Sequence, residues 1–83
     1  MRKSNTFNNS YNVIGKNIKE IRLKNKITQE ELCARMQVQG FQISRSDISK
    51  LENGKKLIAD FEIIGFAKCL KVSILELFKN LIF

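Results

Sequence analysis

From Ile14 onward the apolar positions recur with a helical period: Ile14, Ile18 and Ile21 stand at i, i+4 and i+7 and share one face. Lys16, Lys19 and Arg22 lie largely off that stripe, Asn12 precedes it as a candidate cap, and Asn25 stands near its end. Thr28-Gln29-Glu30-Glu31 has the form of a capping box: the Thr28 hydroxyl accepts from the Glu31 backbone while the Glu31 side chain reaches back to Thr28. Leu32, Cys33 and Met36 then give a second helix its apolar face. The pattern breaks over Gln37–Ile43, with Gly40 as the break, and this stretch either extends the second helix or bulges as a loop.

Ser44-Arg45-Ser46-Asp47 repeats the box form with Asp in the last place. Ile48 and Leu51 follow three residues apart, and Asn53-Gly54 closes the helix in the manner of a left-handed cap. A helix over Ser44–Glu52 is too short and too polar to persist alone in water, so Ile48 and Leu51 must dock on neighbours. Asp60 opens a fourth helix with Phe61, Ile64, Ala67 and Leu70 as its apolar stripe. Lys71-Val72 turns the chain, and Ser73-Ile74-Leu75-Glu76 is a further box, continued by Leu77 and Phe78 into a final helix. The pattern therefore predicts an all-α, compact five-helix domain over residues 12–83. Residues 1–11, rich in Asn and Ser and without an apolar period, read as a flexible N-terminal arm, with Phe7 and Tyr11 as its candidate anchors.

Composition agrees with that reading. A chain of 83 residues suits one domain, and 43% hydrophobic residues are enough for a packed core. Proline and tryptophan are absent, and glycine occurs only at Gly15, Gly40, Gly54 and Gly65. The net charge of +7 is uneven: residues 1–26 carry +6, residues 27–56 carry +1, and residues 57–83 sum to zero. Such asymmetry fits one face built for a polyanion, although lysine also serves simply to solubilise a surface.

Several classes drop out. No stretch approaches the roughly 20 apolar residues of a membrane helix, and the N-terminus lacks the apolar segment of a secretory signal. Without histidine there is no His-based catalytic dyad, and Cys33 and Cys69 are too few for a structural zinc site; both read as small buried hydrophobes. The expectation is a non-enzyme without metal or cofactor, in a reducing cytoplasm.

Three segments in order resemble the lambda-repressor/Cro-like (XRE) helix-turn-helix family. They are Ile27-Thr28-Gln29-Glu30-Glu31-Leu32, Ile48-Ser49-Lys50-Leu51-Glu52-Asn53-Gly54-Lys55, and Ala67 with Leu70, Val72-Ser73 and Glu76-Leu77-Phe78. The resemblance covers residues 14–78, with one departure: the turn at Gln37–Ile43 is longer than the family's usual one, which leaves the docking angle of the third helix open. The resemblance implies a sequence-specific transcriptional regulator, a repressor by analogy, reading the major groove of double-stranded DNA with Ser44–Glu52. It implies base contacts from Arg45, Ser46, Ser49 and Lys50; arginine suits this because its fork matches guanine O6 and N7. It implies phosphate contacts from Gln29, Ser44, Asn53, Lys55 and Lys56, with Gln29 alternatively bracing a base-reading side chain. The N-terminal Arg2 and Lys3, with Lys16 and Lys19, would add to the electrostatic footprint. Glu52 would form a structural ion pair with Arg22, and Asp47 would serve as capping partner of Ser44. Family members also act as antitoxins or under the control of a partner protein, so a protein-interaction module is the alternative. The apolar segment Leu77–Phe83 points to a homodimer interface, unless it completes the domain's own core.

Overall fold

A computed structural model describes residues 9–81. Five helices follow one another: α1 (Gly15–Lys24), α2 (Gln29–Val38), α3 (Arg45–Glu52), α4 (Asp60–Leu70) and α5 (Ile74–Leu77), with no strand among the described residues. α3 packs on α1 and α2, α4 packs on α1, α2 and α5, and the centre is filled by Ile18, Leu32, Met36, Ile48, Phe66 and Leu77. Each such side chain contributes about 1.5–3 kcal/mol of transfer free energy, a large share of the stability of so small a domain.

Local chemistry starts and stops the helices. The Ser44 hydroxyl accepts from the Asp47 backbone N–H at 3.0 Å and the Asp47 carboxylate accepts from the Ser44 N–H at 3.0 Å, so both halves of the box form. At α2 only one half forms. Thr28 accepts from the Glu31 N–H at 3.0 Å, but the Glu31 carboxylate takes a bond from Arg35 at 2.8 Å instead of returning to Thr28. Arg35 is held close by its other nitrogen, which donates to the Cys69 carbonyl on α4 at 2.9 Å, and the i, i+4 pair wins. Ser73 likewise makes the hydroxyl half of its box, at 3.3 Å. α1, α2, α3 and α4 all end in a 6→1 plus 5→2 pair of backbone bonds around a left-handed residue. That residue is Gly40 after α2 and Gly54 after α3, but Lys26 after α1 and Lys71 after α4.

A further expectation needs correction. On α4, Ala67 and Leu70 are buried as expected, but Phe61 and Ile64 do not face the core; they are exposed, and Phe66 and Cys69 are buried instead. Gly65 lets the Phe41 ring approach α4 closely, and the Phe61 ring stacks on that ring with centroids 6.2 Å apart. In the segment Leu77–Phe83, Leu77 is fully buried and Phe78 and Leu81 pack against the cluster, in keeping with the alternative that it completes the domain's own core; residues 82–83 lie outside the described residues. Asn17 on α1 fastens this end by donating to the Leu77 and Lys79 carbonyls, both at 2.8 Å. Most of the expected arm, residues 1–8 with the candidate anchor Phe7, lies outside the described residues; at its end Ser10 and the other candidate anchor, Tyr11, bond to the Gly54 carbonyl.

The insert both extends α2, to Val38, and loops. After the Gly40 turn, Phe41 packs towards α4, Ile43 is buried, and the Ile43 carbonyl accepts from the Gln37 amide at 3.0 Å. The extra residues are thus anchored at both ends before α3 begins.

Candidate nucleic-acid interface

α3 presents three kinds of surface. Ile48, Leu51 and Glu52 face inwards and are buried. Ser46, Lys50 and Asn53 lie on the opposite side and are exposed, and Arg45 and Ser49 flank them, Arg45 exposed at the first turn and Ser49 half-buried. The four candidate base readers therefore share one outward face, with Asn53 at its end. Asp47 borders that face, where its carboxylate caps Ser44 and lies 3.8 Å from the Lys56 ammonium. The Ser44 N–H, opposed by partial burial and aided by the Ser44 hydroxyl, Lys56 and Lys50, holds the Asp47 carboxyl below its usual range. Asp47 is thus a capping group with its charge compensated inside the protein.

The orientation of this face is set by a buried polar network. Arg22 donates from Nε to Glu52 Oε2 at 2.7 Å and from Nη2 to Glu52 Oε1 at 3.1 Å, while Nη1 donates to the Ile27 carbonyl at 2.8 Å. Gln29, half-buried at the start of α2, adds a bond from its amide to Glu52 Oε1 at 3.0 Å. The side chains of Arg22 and Glu52 are only 8% and 1% exposed, so little water competes for the pair. One carboxylate near the end of α3 is therefore fixed from α1 and from α2 at once. A bidentate Arg–carboxylate pair defines direction as well as distance, and the long turn before α3 does not disturb it.

Lys55 and Lys56 follow the Gly54 cap and are exposed. Their loop is tied to the residues that precede α1. Tyr11 N–H donates to the Gly54 carbonyl at 2.8 Å, and the Asn12 amide donates to the Leu51 carbonyl at 3.0 Å and to the Lys56 carbonyl at 2.8 Å. Asn12 Oδ1 accepts from the Gly15 N–H at 2.7 Å, so it satisfies the first N–H of α1 from two residues ahead of the N-cap position, which is Ile14. The long-range role was not legible: nothing near Asn12 in sequence marks a partner some forty residues away. The Asp47–Lys56 proximity escaped for the same reason. Of the candidates, the structure gathers Arg45, Ser46, Ser49, Lys50 and Asn53 on one face, with Lys55 and Lys56 in the loop that follows. Ser44 stands at the start of the helix with its hydroxyl engaged by the box, and Gln29 turns its amide to Glu52.

Among the described residues no cluster of His, Cys, Asp and Glu could hold a metal ion, and no helix is long and apolar enough to cross a membrane. Cys33 and Cys69 are buried and unbridged, and burial pushes the Cys69 thiol up. The family described as Helix-turn-helix (HTH_3) matches residues 18–77, which span α1 through α5. No curated protein and no solved structure matches the chain.

Proposed function

Since the chain belongs to this helix-turn-helix family, of the XRE and lambda-repressor type, we propose that it is a sequence-specific double-stranded DNA-binding transcriptional regulator, acting as a repressor and reading the major groove with α3. The observation that carries the proposal is the outward face of α3, polar and cationic, on a helix whose inward Glu52 is fixed by Arg22 and Gln29. A reading helix needs a defined aim and unengaged donors, and this one has both.

In this reading Arg45 takes a guanine through its bidentate fork, Lys50 reaches a base one turn further on, and Ser46 and Ser49 add adaptable hydroxyl contacts. Lys55, Lys56 and Asn53 grip phosphate, where proximity suffices. Gln29 gives one amide hydrogen to Glu52 and offers the other to a phosphate at the start of α2. The Ser44 hydroxyl accepts from Asp47 and keeps its own hydrogen for the backbone. The protein acts as a homodimer on a palindromic site, its recognition helices about 34 Å apart. Because Leu77, Phe78 and Leu81 pack on their own core, the apolar groups such a dimer would cover near that segment are the exposed Ile74 and Leu75.

Selection of bound sequences from a random duplex pool at moderate salt, with sedimentation to give the oligomeric state, tests this. A short palindromic motif and a two-chain particle are expected. Recovery of no motif would remove sequence-specific binding and leave the protein-interaction module as the better account.

A further inference from the structure

The loop that carries Lys55 and Lys56 is bracketed by a single side chain from the other end of the fold. The Asn12 amide donates its two hydrogens to the Leu51 and Lys56 carbonyls, so the backbone between these points is closed at both ends by one group. The neighbouring Tyr11 N–H bonds to the Gly54 carbonyl at the middle of the same loop, and Ser10 Oγ donates to the Asn12 carbonyl at 2.6 Å. Close approach on both sides leaves no room for side chains: a Cβ at Gly15 would run into the Leu51 carbonyl, and one at Gly54 into Ser10 Oγ. Gly54 moreover stands at φ 72°, where a left-handed cap requires it.

We infer that Asn12 is a positioning residue for phosphate binding: through the Leu51 and Lys56 carbonyls it holds the Asn53–Lys56 loop in place before DNA arrives. The inference rests on the DNA-binding reading above. A lysine on a loose loop must lose backbone as well as side-chain freedom when it meets a phosphate, and that loss subtracts from affinity. Here the backbone part is settled on folding. The effect concerns phosphate and not base readout, because Asn12 touches the loop and the last turn of α3 but none of Arg45, Ser46 or Lys50.

The variant that separates this role from helix capping is Asn12→Ser. A serine hydroxyl still accepts from the Gly15 N–H as a neutral cap, but is too short to reach the Leu51 and Lys56 carbonyls together. Full-length wild type, Asn12→Ser, Lys55→Ala and the double variant are titrated with the selected duplex and a scrambled one over a range of salt. The expected result is a several-fold loss for both duplexes alike, a salt slope shallower by about one, and an unchanged ratio between the duplexes. The double variant should lose less than the sum of the two single losses, since Asn12 acts in part through Lys55. Wild-type affinity and slope in a folded Asn12→Ser protein would overturn the inference, as would a loss confined to the selected duplex, which would make Asn12 an orienter of α3. If Asn12→Ser does not fold, Asn12→Asp retains a strong cap, and its coupling to Lys55→Ala, in which the general effect of the added charge cancels, gives the same decision. Failure of wild type itself to prefer any duplex is a different result: it removes the DNA-reading proposal, and this inference with it.

Discussion

The two halves of the molecule are held by different kinds of contact. α3 is located by directional polar bonds, from Arg22 and Gln29 to the Glu52 carboxylate. α4 and α5 are located mainly by shape, with Phe66, Ala67, Leu70 and Leu77 filling the centre and Gly65 admitting the Phe41 ring. Apolar packing strongly favours contact but tolerates shifts, whereas a bidentate charged pair tolerates few. A helix that must be aimed is pinned by a bidentate charged pair on its own side chain; the helices that support it fill volume and are fastened only through backbone carbonyls, by Arg35 and Asn17. Charge follows the same division, since the whole +7 resides in residues 1–56 and the rest of the chain is neutral.

The largest effects should come from deleting the centre of each half. Glu52→Ala leaves Arg22 buried without its partner and should cost about 3–5 kcal/mol. Phe66→Ala opens a cavity and should cost a similar amount, about 3–5 kcal/mol. Urea unfolding measures both. The comparison is broken or upheld by DNA titration in the cold, where the folded fraction can be restored: Phe66→Ala should bind normally once folded, and Glu52→Ala should not. A harder test replaces the pair by Arg22→Met with Glu52→Leu. Apolar replacement of a buried pair is often neutral or stabilising, so this protein should stay folded and yet discriminate DNA poorly. If it discriminates like wild type, the polar network does not aim α3.

A middle-sized effect is expected at Gly65→Ala. The added Cβ would overlap the Phe41 ring, which must then withdraw from Phe61, at a cost of roughly 1–3 kcal/mol. Thermal unfolding should register this while duplex binding stays unchanged. On the reading face, Arg45→Ala should lose about 1–3 kcal/mol of discrimination at one or two base positions. Lys55→Ala should weaken all sequences alike and flatten the salt slope by about one. Identical behaviour of the two variants would remove Arg45 from direct readout.

How much of this was legible in the sequence depended on how local each interaction is. The Ser44–Asp47 box could be read because both bonds join residues three apart. The half-box at Thr28 could not be fully read, because Arg35, steadied by the Cys69 carbonyl on another helix, competes for Glu31. Period alone also misplaced Phe61 and Ile64: α4 is apolar on most sides, and its neighbours, such as the Phe41 ring at Gly65, are brought to it only by the fold. The link between Arg22 and Glu52 spans thirty residues and was expected only through family resemblance. Asn12 had no such guide.

A smaller effect follows from the Asp47 carboxyl, held below the usual carboxylate range chiefly by the Ser44 N–H. A depressed folded value means that Asp47 stabilises the fold fully above its ordinary pKa, and that this contribution disappears as pH falls through the lowered value. Asp47→Asn should therefore flatten the acid side of the stability profile below about pH 4. It should change little near neutrality beyond the loss of cap strength. An unaltered acid limb would mean that other carboxylates carry it.

The smallest expected effect compares the halves at equivalent positions. Lys26 ends α1 and Lys71 ends α4, both left-handed at φ 58° and 59°, each followed by a backbone bond back to the helix. A left-handed non-glycine residue costs about 1–2 kcal/mol, and glycine in exchange loses about 0.5–1 kcal/mol more chain entropy on folding. Lys26→Gly and Lys71→Gly should thus each raise stability by several tenths of a kcal/mol to about 1 kcal/mol, as thermal unfolding would show. Their effects on DNA should differ. Lys26 belongs to the charged half and adjoins Ile27, whose carbonyl holds Arg22, so losing its charge should weaken duplex binding slightly and without regard to sequence. Lys71 belongs to the neutral half, and its loss should leave binding untouched. Equal weakening by both would show that the electrostatic footprint extends over α4, and that the division between an aimed, charged half and a neutral support is drawn too sharply.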